Sequence, residues 1–339
     1  MAHMTFQAFG VQAVGYTGAL RVGAEFLAKK LHYTTFYNSA PGYEHHVRIF
    51  LAAGFEEACQ YRYWNLNTRE LAFHEYLEDL SSAPRDSVII MGMCAHNPTG
   101  YDPTHEQWTQ IADVMEERQL FPFFDASLMG LSSGDIDVDC WPVRHFAERG
   151  FEMFCAQSFA KTFGLYDERP GNLTVVLSNE DAVIATKSQF AVIVREMYAT
   201  PPSHGARIVA TVLNNPVLLE DWKDNVRRMA HRLTDCRHGL KARFVRLNTP
   251  GQWDHIAVGR GMYISTGLKP YHIEHLLRKY HIYMQRNGRM NVCGLNPKNL
   301  NYVANAIHET VVRFQDRCSE TDDPFQKRFL HAHGGDSFV

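Results

Sequence analysis

The sequence has no Cys-x-x-Cys pair among its seven cysteines, which are scattered at Cys59, Cys94, Cys140, Cys155, Cys236, Cys293 and Cys318. That spacing argues against a zinc site or a disulfide frame and for reduced thiols in a cytosol-like compartment. No apolar run approaches the ~20 residues of a membrane span. The first twenty residues lack the basic start and compact apolar stretch of a secretory signal. Charge of either sign is not in excess: the formal net charge is -3, so nothing calls for nucleic acid or an anionic membrane as partner. Histidines number 18, yet the pairs His45/His46 and His331/His333 have no Cys or carboxylate spacing to complete a metal site. No metal is expected. Internal repeats are also absent.

What is present is an ordinary globular mix of 339 residues, 45% hydrophobic and 21% charged, long enough for two domains. Apolar runs of strand length at 34–37, 60–64, 87–93, 120–124, 151–155 and 173–177 alternate with amphipathic stretches at 19–31, 70–80, 105–119 and 143–149. Several of the runs carry no charge, as strands covered on both faces do. This pattern predicts an α/β fold with a mostly parallel sheet between helices. Thr104, with Gln107 three residues on, has the spacing of a capping box for the helix at 105–119. Beyond residue 189 the pattern changes. One long helix is expected over 216–245, then short strands at 262–265, 281–284 and 290–293 with helices at 271–280 and 299–314. The reading is a large domain over 1–228, a smaller α+β domain over 229–318, and a polar, mobile tail over 319–339.

Several residues stand where chemistry is expected. Lys161 follows an apolar strand and sits between Ser158 and Arg169. A lysine there costs energy unless it is paired or neutralised, and a desolvated lysine with a depressed pKa is a nucleophile toward an aldehyde. Ser158 and Arg169 offer a hydroxyl and a guanidinium suited to phosphate. Asp125 ends the apolar run at 120–124, where open α/β sheets place their ligands. A carboxylate there can keep a pyridinium nitrogen protonated. Asn97, in His96-Asn97-Pro98-Thr99-Gly100, also lies just past an apolar strand. Gly15-Tyr16-Thr17-Gly18 opens an amphipathic helix whose backbone N–H groups could cradle a phosphate. Arg289 enters a strand in Asn287-Gly288-Arg289-Met290-Asn291, and arginine grips carboxylates at two points. Taken singly, each has a plain alternative: a solvated loop lysine, a capping aspartate, a common turn, or a surface ion pair.

In order and spacing, the phrases HNPTGYDP, FFD, QSFAKTFGLYDERPGN, ATPPSHGAR and NGRMNV resemble the class I aspartate aminotransferases, members of fold type I of the pyridoxal-phosphate (PLP) enzymes. The resemblance runs from about Gln12 to Ile307. It implies a mostly parallel seven-stranded sheet, PLP as cofactor, and transfer of the amino group of L-aspartate to 2-oxoglutarate to give oxaloacetate and L-glutamate. Lys161 is then the lysine that holds the cofactor as a Schiff base and shuttles the proton. Asp125 is the partner of the ring nitrogen, and Asn97 the donor to the ring's phenolic oxygen. Gly15, Tyr16 and Thr17, with Ser158 and Arg169, form the phosphate cup. Tyr43 stacks on the ring, where a tryptophan is usual. Arg289 holds the α-carboxylate. Arg195 crosses the interface of a homodimer to read the side-chain carboxylate. The implied compartment is the cytoplasm, with the mitochondrion as the alternative.

The chain also departs from that pattern. An N-terminal arm and a partner-reaching tyrosine have no counterpart ahead of Met1, which bears on dimer stability. Leu128 stands in place of a tyrosine that donates to the phenolic oxygen, which predicts a raised Schiff-base pKa and slower turnover. Gly15 and Tyr16 replace Ser and Gly, losing a hydroxyl and adding bulk. Gly92 replaces a supporting histidine, and Ala199-Thr200 replaces Ser-Asn. These changes leave two alternatives: a weakly active or non-catalytic paralogue, and a related PLP reaction such as aromatic transamination or racemisation.

Overall fold

The computed structural model describes residues 7–315; the tail expected at 319–339 lies outside them. The strands are β1 (Gln7–Val14), β2 (Thr35–Ala40), β3 (Glu57–Arg62), β4 (Trp64–Asn65), β5 (Glu70–Leu71), β6 (Val88–Gly92), β7 (Phe121–Ala126), β8 (Met153–Ser158), β9 (Pro170–Leu177), β10 (Tyr263–Ser265) and β11 (Arg289–Asn291). The helices are α1 (Gly15–Lys30), α2 (His45–Ala53), α3 (Phe73–Ser82), α4 (His105–Arg118), α5 (Ile136–Asp139), α6 (Trp141–Glu148), α7 (Asp181–Tyr198), α8 (Ser203–Asn214), α9 (Pro216–Arg246), α10 (Asp254–Val258), α11 (Pro270–Tyr280) and α12 (Leu300–Arg313).

Seven strands form one sheet in the order β1-β9-β8-β7-β6-β2-β3. Pairings β2/β3, β2/β6, β6/β7 and β7/β8 are parallel, while β1/β9 and β8/β9 are antiparallel. Strand β7 shows why the middle of the sheet is so apolar. All six of its residues are buried, and successive side chains serve opposite faces. Phe123 joins a core with Phe36, Phe50 and Phe154, whereas Phe124 joins another with Trp108, Met115 and Phe146. Helices α1, α2 and α7 cover the first face, and α3, α4 and α6 the second. At the start of α4 the capping box is complete: Gln107 N–H donates to Thr104 Oγ1 at 3.2 Å, and Thr104 N–H to Gln107 Oε1 at 2.9 Å.

A third core gathers Leu233, Leu240, Phe244, Trp253, Ile264, Met290, Val292 and Ile307, together with Ala95, Leu128 and Leu131 from loops beyond the sheet. Helix α9 runs unbroken through 31 residues and crosses position 228/229. Near its start Trp222 Nε1 donates to the Thr162 carbonyl at 2.9 Å and the indole stacks on Phe163. Further along, the buried Arg237 donates to the carbonyls of Gly261, Ile256, Arg260 and Tyr263. Those carbonyls belong to the segment that leads into β10, and β10 pairs antiparallel with β11.

Three expectations need correction, and one strand lay outside them. Residues 281–284 are not a strand: His281 closes α11 in the left-handed conformation, φ 50°, and Ile282 N–H returns to the Leu276 carbonyl. The run at 60–64 breaks at Tyr63, because Trp64 turns away to pair with Leu71. The helix expected from 70 begins at Phe73, since Glu70 and Leu71 belong to β5. Strand β1 was not anticipated, although Phe9, Val11 and Ala13 alternate toward the core with the period of a strand.

Candidate active site

The C-terminal ends of parallel strands β6, β7 and β8 converge on one pocket, the position where a parallel sheet leaves backbone and side chains free for a ligand. Asp125 lies one residue from the end of β7 and is buried. Its Oδ1 accepts from Ser127 N–H at 2.9 Å, and its Oδ2 lies 3.4 Å from His46 Nε2. Burial alone would push this carboxyl up. Hydrogen bonding and charge from His46, then hydrogen bonds from Tyr16 and Ser127, more than offset it and hold the group at about 2. Asp125 is therefore ionised at neutral pH.

Lys161 follows β8 in a short turn. Its Nζ points at the Ser127 carbonyl at 3.5 Å, the outer limit of a hydrogen bond. Ser127 thus touches both groups, through its N–H to Asp125 and its carbonyl to Lys161. Burial pushes the Lys161 ammonium down; the Asp125 charge opposes this and the Arg169 charge adds to it. A lysine biased toward its neutral form, beside a fixed carboxylate, is suited to attack an aldehyde.

The opposite end of the pocket is built on α1. Gly15 has φ +65°, a backbone conformation that favours glycine, and it leaves room for the end of the Arg169 side chain, which a Cβ there would meet at 2.6 Å. Gly15 N–H donates to the Arg169 carbonyl at 2.6 Å. Ser158 is buried and its Oγ accepts from Ala160 N–H. No side chain caps the start of α1, so the first-turn N–H groups after Gly15, beside Arg169 and Ser158, are left for an anion. Thr17 is exposed in that turn.

On the third side Arg289 Nη1 donates to Asn97 Oδ1 at 2.9 Å, and its guanidinium lies over the Tyr263 ring. The Asn97–Pro98 bond is cis. His96 anchors this loop: its ring lies 2.8 Å from Ser39 Oγ and 2.9 Å from Thr99 Oγ1, and stacks on Tyr63. Burial holds the His96 pKa down at about 3, which keeps it a neutral hinge pin. Asp102 accepts from Ala95 N–H and His96 N–H.

The structure thus brings Lys161, Asp125, Asn97, Ser158, Arg169, Arg289, Gly15, Tyr16 and Tyr43 to one place. Arg195 is exposed in the last turn of α7, outside this cluster. Tyr16 differs from expectation. Its backbone belongs to the phosphate end, but its phenol turns inward to the opposite end, 2.7 Å from His46 Nε2. His46, Ser127 and Tyr263 were not singled out from sequence as site residues. In sequence His46 reads only as half of the His45/His46 pair, because its partner Asp125 comes from the distant strand β7. Among the described residues no group of three or more His, Cys, Asp or Glu side chains could hold a metal ion.

The donor set suits PLP: an amine with lowered pKa, an ionised carboxylate for the ring nitrogen, an amide, and an anion cradle. The open space is small. The cavity bordered by Tyr43, His46, Asn97, Asp125 and Leu128 measures about 10 Å³, room for one water. Leu128 is buried there and has no hydroxyl to offer.

Comparison with known proteins agrees with this geometry. The sequence profile described as "Aminotransferase class I and II" matches residues 2–307. The chain is 50% identical over 310 residues to a protein of Gallus gallus named "Aspartate aminotransferase, cytoplasmic", covering 90% of this chain and 75% of that one. The crystal structure of aspartate aminotransferase from Trypanosoma cruzi superposes with a TM-score of 0.87 at 39% identity, covering 92% of this chain and 79% of that one. An aromatic-amino-acid aminotransferase from Burkholderia pseudomallei, covalently bound to pyridoxal phosphate, gives a TM-score of 0.87 at 34% identity, covering 89% and 75% of the two chains. With its sheet, its lysine and its carboxylate in these positions, the chain belongs to the class I and II aminotransferase family.

Proposed function

We propose that this protein is a PLP-dependent aspartate aminotransferase that converts L-aspartate and 2-oxoglutarate into oxaloacetate and L-glutamate. The observation that carries the reading is the bridge through Ser127, which sets Lys161 Nζ and the Asp125 carboxylate on one short backbone segment. When bound, PLP supplies an aldehyde that holds the amino group and a cationic ring that draws electrons from the substrate's α-carbon.

The chain's own residues do the rest. Lys161 Nζ, whose pKa burial lowers, would hold the aldehyde and carry the proton of the substrate's α-carbon. Asp125 would keep a proton on the ring nitrogen. Asn97 Oδ1 is taken by Arg289, so Nδ2 is left to donate to the phenolic oxygen. The Tyr16 and Thr17 N–H groups, Ser158 and Arg169 would hold the phosphate, with Gly15 shaping the turn, and Tyr43 would lie beside the ring. Arg289, steadied over Tyr263, grips the α-carboxylate. Arg195, exposed in one chain, reads the second carboxylate from across a homodimer; a monocarboxylic substrate would leave that charge unpaired. The division at 228/229 then separates the sheet from the unit that carries Arg289. Cytoplasmic residence is the compartment in keeping with the Gallus gallus relative's name, and no described helix is long and apolar enough to cross a membrane.

Leu128 supports the slower reading of this activity, because the pocket lacks a hydroxyl beside the phenolic oxygen. The test is spectroscopic. PLP added to purified protein should give an absorbance band that Lys161→Ala lacks, and L-aspartate should bleach the band with release of oxaloacetate. A band that persists unchanged in Lys161→Ala would refute the assignment. A band bleached by phenylalanine but not by aspartate would move the substrate class to aromatic amino acids.

A further inference from the structure

The side chain of Tyr16 runs from one end of the pocket to the other. Its backbone lies in the first turn of α1, beside Gly15 and the Arg169 guanidinium. Its hydroxyl lies 2.7 Å from His46 Nε2, and that nitrogen lies 3.4 Å from Asp125 Oδ2. The phenol ring is only 8% exposed and packs edge-on against His46 and tilted against Tyr43. The cofactor of the proposed function has its phosphate at the first of these ends and its ring nitrogen at the second. A ring joining them would lie along the path that the phenol takes. The remaining cavity at Asp125 has room for one water.

We infer that Tyr16 is a displaceable occupant of the cofactor-ring site, which fills the ring's place, is held by His46 beside Asp125, and must swing out before the cofactor can enter. This rests on the PLP reading of the pocket. The exchange has a clear direction. In the cofactor-free protein the phenol engages His46, the imidazole beside the ionised Asp125, and fills the space next to that carboxylate. The entering ring nitrogen would carry a positive charge, and a charge-assisted bond to Asp125 is stronger than the neutral hydroxyl's bond to His46. Occupancy by Tyr16 therefore weakens cofactor binding without forbidding it. The apparent dissociation constant rises in inverse proportion to the fraction of molecules in which Tyr16 is out.

The experiment titrates the full-length, cofactor-free protein with pyridoxamine 5′-phosphate, which has the ring and phosphate but forms no bond to Lys161. Binding is followed by tryptophan fluorescence and by equilibrium dialysis. Tyr16→Gly should bind at least about tenfold more tightly than the parent, the value for an open state populated at a tenth or less. Tyr16→Phe keeps the ring but loses the hydroxyl anchor, so it should bind a few-fold more tightly and associate faster. If circular dichroism shows that Tyr16→Gly is not folded, Tyr16→Phe decides. Equal or weaker binding in the folded variants overturns the inference. Tighter binding without a PLP absorbance band would uphold the inference about Tyr16 and sink the role of Lys161. The band with unchanged affinities would do the reverse.

Discussion

Asp125 is the residue on which the chemistry of the pocket turns, and its charge is written into the stability of the fold. Its carboxyl sits at about 2, against ~3.9 in an unfolded chain. The folded value is the lower one, so the stabilisation is complete above pH ~4 and is lost as the pH falls toward 2. That lowering corresponds to roughly 2.5 kcal/mol. Asp125→Asn should flatten the acid limb of the unfolding curve between pH 4 and 2 and lower kcat/KM for aspartate by about 10²–10³. Acid titration followed by circular dichroism and a coupled oxaloacetate assay check both; an unchanged acid limb would show that His46, Tyr16 and Ser127 do not hold the carboxyl down. At this scale the placement of Lys161 and Asp125 just past apolar strands was legible, since burial makes a charge there costly. Singly each also read as a loop lysine or a capping aspartate, and only the ordered set of phrases set them apart. The aim of the Tyr16 side chain was not legible, because a sequence shows bulk beside a phosphate loop but not the direction of a rotamer.

Elements were most legible where a single cause acts locally. The capping box at Thr104 and Gln107 needs only four consecutive residues, and both of its hydrogen bonds formed. Thr104→Ala should remove one of them and cost about 1 kcal/mol of stability, seen as a lower urea midpoint with no change in aspartate KM. The apolar middles of β6 to β9 were equally plain, since a strand stretch covered on both faces is apolar, while the polar ends of β8 at Gln157 and Ser158 and of β9 at Asn172 fell outside the expected runs. Sequence failed where distant partners decide. Trp64 leaves the run at 60–64 because Leu71 offers a pairing edge. Residues 281–284 have strand-like composition, yet the end of α11 claims the backbone of Ile282.

The whole molecule depends on a cation with no carboxylate among its hydrogen-bond partners. Arg237 is buried, and its guanidinium is engaged with four backbone carbonyls; burial draws its pKa down to about 10. Arg237→Met should leave those carbonyls unsatisfied and cost roughly 3 kcal/mol or more. Because the same carbonyls lead into the hairpin that bears Arg289, aspartate KM should rise while pyridoxamine phosphate affinity stays near the parent value. Denaturant midpoints and steady-state kinetics test this; equal losses in both ligands would mean a general loosening instead. None of this was visible in composition, where Arg237 is one of many basic residues on a long helix.

Helix α9 has a consequence of its own. By its length it spans about 46 Å. The turn after Lys161 is fastened to it at Trp222 and the approach to Arg289 at Arg237. The turn that bears Lys161 and the strand pair that bears Arg289 are thus both tied to one helix. On the proposed reading, the interval between amine and guanidinium that a substrate must match is set by the distance between two fastenings on α9.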